Sequence, residues 1–138
     1  MQVDRIHMSL KLRRWLPSIF VMLVIFLFSS QPSRNLPIFS WADTLVKKGG
    51  HVIGYGLLGW AFWHAFVYRN NRRWSSWLLA LVYAVTDEVH QAFVPGRHPS
   101  IWDVIIFDNL GAMISLWLVN NWRMQKRPGL PESDRPAP

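Results

Sequence analysis

Four apolar blocks dominate the sequence, and their length is the feature that most constrains the fold. They run from about Trp15 to Ser30, His51 to Tyr68, Trp74 to Phe93 and Ile101 to Asn120. Each block has roughly 16 to 20 residues, which at about 1.5 Å per residue approaches the ~30 Å hydrocarbon core of a bilayer. Because backbone groups in lipid must be satisfied within the segment, the blocks are predicted to be helices. The sequence therefore predicts an all-α, multi-pass membrane protein with a bundle of about four transmembrane helices.

The composition of the chain agrees with this class of protein. Hydrophobic residues make up 51% of the 138 residues, charged residues make up 17%, and nine residues are tryptophan. A soluble domain of this size could not bury so much apolar surface, whereas a bilayer accepts it. The sequence has no cysteine, which excludes disulfides, thiolate catalysis and cysteine metal sites. The net charge of +7 is interpreted as a signal of membrane topology, with no nucleic-acid partner.

The distribution of lysine and arginine predicts the orientation in the membrane. With a cytoplasmic N-terminus, eleven of the fifteen lie in cytoplasmic segments, and four lie in outer loops: Arg34, Lys47, Lys48 and Arg97. The positive-inside rule then places both termini in the cytoplasm. The predicted organisation is a basic N-terminus (1–14), a transmembrane domain (15–120) and a cytoplasmic, disordered tail (121–138). The first block also has the layout of a signal peptide, but no small-x-small cleavage site follows it, which favours a retained span.

Polar residues occur inside three of these blocks at one depth. Helical rise places Tyr55, Asp87 and Asp108 roughly 10 Å below the outer surface of the membrane. An intramembrane carboxylate costs about 2.5 to 3.5 kcal/mol, so it is expected to face the bundle interior and find a partner. The expected partners are Lys48, His51 and Arg97. The sequence thus predicts a polar pocket that opens to the non-cytoplasmic face.

Helical spacing groups the candidate residues of this pocket. Lys48, His51 and Tyr55 share one helix face at i, i+3 and i+7, and Asp87 and Gln91 share another at i, i+4. The candidates for catalysis are His51, Asp87, Glu88 and Asp108. The candidates for binding are Lys48, Tyr55, Gln91, Arg97, Ser100, Asp103 and Asn109. The mixed imidazole and carboxylate groups could also hold a divalent cation, but no motif has metal-ligand spacing, so the sequence identifies no metal.

Several of these residues also have structural interpretations. Ser100 and Asp103 have the spacing of a capping box at the start of the fourth helix. Pro95 and Gly96 predict a turn, because proline presets φ and glycine supplies a positive φ. Close helix packing is predicted at Gly50, Gly54, Gly56 and Gly59, and at Gly111 with Ser115. The intramembrane acids could likewise serve internal salt bridges alone.

The order of these motifs resembles that of VanZ-like membrane proteins. The family's opening pattern, [R/D]-K-x-x-H-x-x-x-Y, is similar to residues 47–55 (KKGGHVIGY). Its D-E-x-x-Q-x-F-x-P-G-R signature is similar to residues 87–97 (DEVHQAFVPGR), and S-x-x-D-x-x-x-x-[D/N]-x-x-G is similar to residues 100–111. The resemblance extends over roughly residues 15–118. The chain departs from the pattern at Lys47, where many members carry Asp or Arg, and at Ser115, which replaces a second small glycine.

The resemblance implies a bacterial cytoplasmic-membrane protein of the cell envelope, linked to low-level teicoplanin resistance. The expected partners are the lipid bilayer and, in the pocket, a phospholipid headgroup, a lipid-linked cell-wall precursor or the glycopeptide itself. Lys48 and Arg97 would hold phosphate or carboxylate groups. His51 with Asp87 or Glu88 would form an acid–base pair if the protein performs chemistry on such a lipid. Two other functions stay open: a non-enzymatic structural or ligand-binding membrane protein, and a small transporter or proton relay.

Overall fold

The computed structural model describes residues 2–32 and 43–125, and this part of the chain contains helices and no strands. The main helices are α1 (Gln2–Ser29), α2 (Asp43–Ala65), α3 (Arg73–Gln91) and α4 (Asn109–Gln125). A short 3-10 turn (Asn70–Arg72) precedes α3, and a π-helix (Asp103–Asp108) leads into α4. The predicted all-α class with four helices is therefore confirmed.

Two helix ends differ from the sequence prediction. α1 begins at Gln2, well before the apolar block, because no glycine or proline interrupts the helix before Pro17. α4 continues to Gln125, so the first residues of the predicted disordered tail (121–138) are helical. The remainder of that tail, residues 126–138, lies outside the described residues.

α2 is the central helix of the bundle, since it packs against α1, α3 and α4. Its buried face carries Tyr55, Leu58 and Phe62, which contact Ala80 and Ala84 of α3. Alanine at these positions of α3 lets the larger side chains of α2 fill the space between the helices. The core is thus formed by large residues from one helix and small residues from its neighbours.

The contact between α2 and α4 is especially close because glycine occupies the crossing point. A Cβ atom placed on Gly111 would collide with the carbonyl oxygen of Val52, which shows that the two backbones touch. Gly56 and Gly59 face α4 in the same way, with Cβ positions 3.1 Å from the Gly111 oxygen and 3.3 Å from the Ala112 Cα. The predicted close packing through small residues is confirmed at these three glycines, and it is wrong for Gly50, where an added Cβ would have no neighbour within 4 Å.

The α2–α3 turn marks one end of the bundle, where arginine residues collect. We call this end, with Arg69, Arg72, Arg73 and Arg123, the arginine end. The guanidinium group of Arg123 on α4 lies 4.5 Å from the centre of the Tyr68 ring, and Trp15 of α1 contacts Phe66 with ring centres 5.4 Å apart. These contacts bring all four helices to the same end. The ends of α1 and α3 and the start of the π-helix lie at the opposite end.

Large apolar side chains cover the outside of the bundle. Phe20, Ile53, Leu78 and Trp117, one on each helix, are each more than half exposed. By length and composition, two described helical stretches, Leu12–Ser29 and Asp103–Gln125, are apolar enough to cross a membrane. An exterior of this kind would be a large unpartnered patch in water, so it calls for an apolar surrounding.

Candidate functional site

The centre of the site is a pair formed by His51 of α2 and Asp108 at the end of the π-helix. His51 Nδ1 lies 2.8 Å from Asp108 Oδ1, and the Asp108 side chain is only 1% exposed. Because Nδ1 is engaged, Nε2 is the ring nitrogen of His51 that is left for another partner. The second carboxylate oxygen of Asp108, Oδ2, is buried and forms no hydrogen bond with any described residue.

Glu88 and Asp103 complete a cluster of three residues with His51. One possible ligand atom from each side chain lies within 4.8 Å of the other two. Glu88 is buried near the end of α3, where its Oε2 accepts a hydrogen bond of 3.0 Å from the backbone N–H of Ser100. The cluster therefore draws one member from each of three different segments: α2, α3 and the π-helix.

The capping box predicted from Ser100 and Asp103 is not formed in the described structure. The Asp103 N–H donates to the backbone oxygen of Ser100 at 2.9 Å, and no described hydrogen bond involves the Ser100 hydroxyl. Ser100 instead acts through its backbone N–H, which holds Glu88. Asp103 is therefore not part of a capping box, and its carboxylate lies in the cluster with His51 and Glu88.

The π-helix explains how Asp103 and Asp108 reach the same histidine. In an α-helix, residues five apart point about 140° away from each other. The i→i+5 hydrogen bonding of a π-helix makes each turn wider and brings such residues closer to one face. Both carboxylates consequently act on His51, Asp108 by a hydrogen bond and Asp103 through its charge. Such π segments are rare and are frequent at functional sites.

Asp87 belongs to a second polar group, between α1 and α3. Its Oδ2 accepts hydrogen bonds from the Ser29 hydroxyl at 2.7 Å and from Gln91 Nε2 at 3.0 Å. The predicted shared face of Asp87 and Gln91 is thus confirmed. The buried Tyr55 hydroxyl forms no hydrogen bond with the described residues, and the Tyr55 ring stacks on that of His51 with ring centres 6.1 Å apart.

Arg97, in the loop that follows α3, forms hydrogen bonds with the end of α1. Gly96 has φ 75° and the Arg97 N–H donates to the Val94 oxygen at 3.1 Å, which confirms the predicted turn. Arg97 Nε donates to the Gln31 oxygen at 3.0 Å and Nη2 donates to the Phe28 oxygen at 2.5 Å. A cation at this position satisfies carbonyl groups at the C-terminus of α1 and complements its dipole.

The same arginine lies beside the acids of α3. Partial burial lowers the pKa of Arg97 from its ordinary value, and the charges of Asp87 and Glu88 act against this lowering. The guanidinium group is therefore both a helix cap and a source of positive potential at the site. Its two bonds to backbone carbonyls leave only part of the group for a ligand.

We expect Arg97→Ala to lower the free energy of unfolding by about 2 kcal/mol, because two hydrogen bonds from a charged donor are lost. Arg97→Lys should restore less than half of that loss, since one ammonium group cannot match the fork of the guanidinium. Unfolding by SDS titration in mixed micelles measures the effect. Arg69→Ala, an exposed arginine in the α2–α3 turn, is the matched control. Equal stability of the Arg97→Ala and Arg69→Ala variants would contradict the capping role.

Several predicted site residues lie away from the His51 cluster. Lys48 Nζ lies 4.6 Å from the centre of the Phe107 ring, and no described hydrogen bond or ion pair links it to the acids. Asn109 Oδ1 accepts a 2.8 Å hydrogen bond from Trp77 Nε1 and so joins α4 to α3. The acid–base hypothesis paired His51 with Asp87 or Glu88; in the structure the His51 ring bonds to Asp108, and Glu88 lies in the same cluster.

Sequence reasoning missed two serines at the end of α1. Ser29 donates to Asp87, and the Ser30 hydroxyl lies 3.0 Å from His90 Nε2. The His90 ring also stacks on Phe26, with ring centres 4.7 Å apart. The available signal was the position of both serines at the end of the first apolar block, at the depth of the acids. These contacts make α1 part of the polar region.

The fold and the site together define an all-helical protein with an apolar exterior and a histidine–carboxylate cluster at one end of the bundle. A model of the VanZ/LLP1 family matches residues 14–123, so the chain belongs to this family. The match confirms the resemblance seen in the motifs and includes every residue of the cluster. Comparison with curated proteins gives no match, and comparison with solved structures gives none either.

Proposed function

We propose that this protein is an integral membrane protein of the bacterial cell envelope whose His51 cluster binds an anionic headgroup near the outer face of the cytoplasmic membrane. In this proposal all four helices span the bilayer and both termini are cytoplasmic. The apolar exterior supports a position in the membrane, because lipid provides the surrounding that such a surface needs. The proposal assigns the family's link with teicoplanin resistance to this site.

The distribution of charged and aromatic residues supports the orientation. The arginine end fits the cytoplasmic side under the positive-inside rule. Seven of the nine tryptophans lie in the half of the bundle nearest to it, where aromatic rings suit a membrane interface: Trp15, Trp60, Trp63, Trp74, Trp77, Trp117 and Trp122. The His51 cluster is at the opposite end and therefore faces the outside of the cell.

The observation that carries the proposal is the excess of carboxylates over cations at this end. Glu88, Asp103 and Asp108 come together around one histidine, and the described ion pair at the cluster is that of His51 with Asp108. A structural salt bridge explains one of these acids and leaves the other two. Because intramembrane carboxylates destabilise a helix bundle, an excess of them is expected where they serve binding or catalysis.

The arrangement can both bind and, with a suitable substrate, exchange protons. Lys48, over the Phe107 ring, and Arg97, bonded to two carbonyl groups, are at the same end of the bundle and add positive potential there for phosphate or carboxylate groups. Asp108 holds His51 in one orientation, so that Nε2 can accept or donate a proton at a bound headgroup. The substrate that we propose is a phospholipid or a lipid-linked cell-wall precursor, because the headgroups of both lie near the membrane surface at the level of the site.

The transporter alternative receives less support from the structure. Below the cluster, the core around α2 is apolar and contains Leu58, Phe62, Ala80, Ala84 and Ala112, and the buried hydroxyl groups farther from the cluster are those of Ser18 and Ser76. The inner-half groups that a relay would need are occupied, because the Tyr83, Thr86 and Ser115 hydroxyls each donate to a backbone carbonyl. The described interior therefore favours a site at one face over a path through the bundle.

The proposal is tested by teicoplanin susceptibility of a sensitive bacterium that expresses the wild type, His51→Gln or His64→Gln. We expect the wild type to raise the inhibitory concentration severalfold and His51→Gln to remove the gain. His64→Gln should retain it, because His64 lies on the same helix near the arginine end. Immunoblots of membrane fractions must show equal abundance of the three proteins.

The outcomes separate function from folding. If both histidine variants behave like the wild type at equal abundance, the cluster is not the working site and the proposal fails. If the wild type gives no protection, the resistance role fails for this protein. If His51→Gln alone removes protection, mass spectrometry of envelope lipids shows whether a headgroup is chemically changed, as an enzyme requires, or only bound.

A further inference from the structure

We infer that His51, Glu88 and Asp103 form a divalent-cation site, which holds the anionic headgroup of the proposed function through the metal ion. The donor set consists of one imidazole nitrogen and two carboxylates, taken from α2, α3 and the π-helix. Zn²⁺ and Mn²⁺ accept such mixed nitrogen and oxygen ligands, and three protein ligands leave positions open for a substrate oxygen. The headgroup part of this inference rests on the proposed function, whereas cation binding can be measured without it.

The distances of the cluster fit a site that closes slightly on binding. The three donor atoms lie within 4.8 Å of one another. Ligands about 2.1 Å from a metal ion lie roughly 3 to 4 Å apart, so the side chains need to approach by about 1 Å. Asp103 and His51 are both partly exposed, so the cluster is not sealed inside the bundle.

Neighbouring groups already hold two of the three ligands in the required orientation. Asp108 bonds to His51 Nδ1, the arrangement by which carboxylates orient metal-binding histidines and leave Nε2 for the ion. The Ser100 N–H holds Glu88 Oε2, which leaves the other oxygen of Glu88 for coordination. These supporting bonds reduce the freedom that the ligands would lose on binding.

A buried carboxylate oxygen without a partner points to a missing positive charge. Asp108 Oδ2 forms no hydrogen bond with the described residues, although the Asp108 side chain is only 1% exposed. Unpaired groups at this depth are costly and are uncommon in native structures without a role. A divalent cation on His51, the bonding partner of Asp108, would balance this unpaired negative charge.

The cation also resolves how an acidic site can bind an anion. Three carboxylates would repel a phosphate group, and the nearby basic side chains are engaged: Lys48 lies over Phe107, and Arg97 bonds to two carbonyl groups. A divalent ion between the carboxylates and the headgroup turns this repulsion into attraction. The metal-bridged arrangement therefore explains why acids outnumber free cations here.

The test is titration of the purified full-length protein, in nanodiscs of phosphatidylcholine, with Mn²⁺ and with Zn²⁺. Loss of the free Mn²⁺ signal in electron paramagnetic resonance and isothermal titration calorimetry with Zn²⁺ report binding. We expect one ion per chain, and at least tenfold weaker binding in each of three variants: His51→Gln, Glu88→Gln and Asp103→Asn. His64→Gln and His98→Gln, which change histidines outside the cluster, should bind as the wild type does.

The variants also separate the inferred ligand set from alternatives. Asp103→Asn changes a half-exposed side chain and is expected to fold, which size-exclusion chromatography and circular dichroism verify. Wild type that binds neither ion, or folded Asp103→Asn that binds as the wild type, would overturn the site. Binding that Asp87→Asn removes and Asp103→Asn keeps would assign the ion to the deeper acids instead. If the protein binds no ion while protection still requires His51, the proposed function stands and the cation inference fails.

Discussion

Replacing Gly111 with alanine is expected to prevent α2 and α4 from packing. The added Cβ would collide with the Val52 oxygen, and since the Cβ is fixed to the backbone of α4 and the oxygen belongs to the backbone of α2, neither atom can move aside separately. Overpacking of side chains typically costs about 1 to 3 kcal/mol, so we expect a loss of about 3 kcal/mol or more at a backbone contact. The variant should therefore be depleted from the membrane and, when purified, unfold at much lower SDS than the wild type.

A matched glycine on α2 provides the control. A Cβ on Gly50 would have no neighbour within 4 Å, so Gly50→Ala should be neutral or gain up to about 1 kcal/mol in helix propensity. Gly56→Ala, with a contact of 3.1 Å to the Gly111 oxygen, should fall between the two. Equal unfolding curves for Gly50→Ala and Gly111→Ala would show that the helices do not cross at this point.

The sequence predicted the elements of this fold because its strongest signals are local. Long apolar blocks predict helices, and a proline followed by glycine predicts the turn that brings Arg97 to α1. Helix ends were less accurate, as at Gln2 and Gln125, because charged residues are good helix formers and the apolar block ends before the helix does. Composition alone does not mark where a polar helix stops.

The contacts of the site were harder to predict than its members. The helical rise correctly predicted that Asp87 and Asp108 lie at one end of the bundle. Which acid bonds to His51 depends on the rotation of each helix and on the π-helix, and the π-helix has no clear sequence signal. A regular α-helix would turn Asp103 away from Asp108 and suggest the capping box that the structure lacks. Arg97 likewise binds α1 carbonyls 66 and 69 positions away, a contact that local spacing cannot show.

Stability and function make opposite demands on the buried acids. Replacing a buried ion pair with apolar residues is often neutral or stabilising, whereas removing one partner leaves an uncompensated charge. The His51–Asp108 pair should obey this asymmetry, because Asp108 is 1% exposed and His51 is its ion-pair partner among the described residues. Removing His51 should therefore lower the free energy of unfolding, because the Asp108 carboxylate loses its partner. Removing the Asp108 charge as well should reverse much of that loss.

His51→Leu, measured with EDTA present, is therefore expected to lower the free energy of unfolding by about 3 to 5 kcal/mol. Asp108→Asn alone should cost less than about 1 kcal/mol, since the amide keeps the shape and can still accept a bond from His51. The double variant should recover at least half of the His51→Leu loss, because no unpaired carboxylate remains beside the leucine. SDS unfolding of the four proteins completes the double-mutant cycle. Simple additivity of the two single losses would show that the pair is not coupled and that Asp108 finds its charge balance elsewhere.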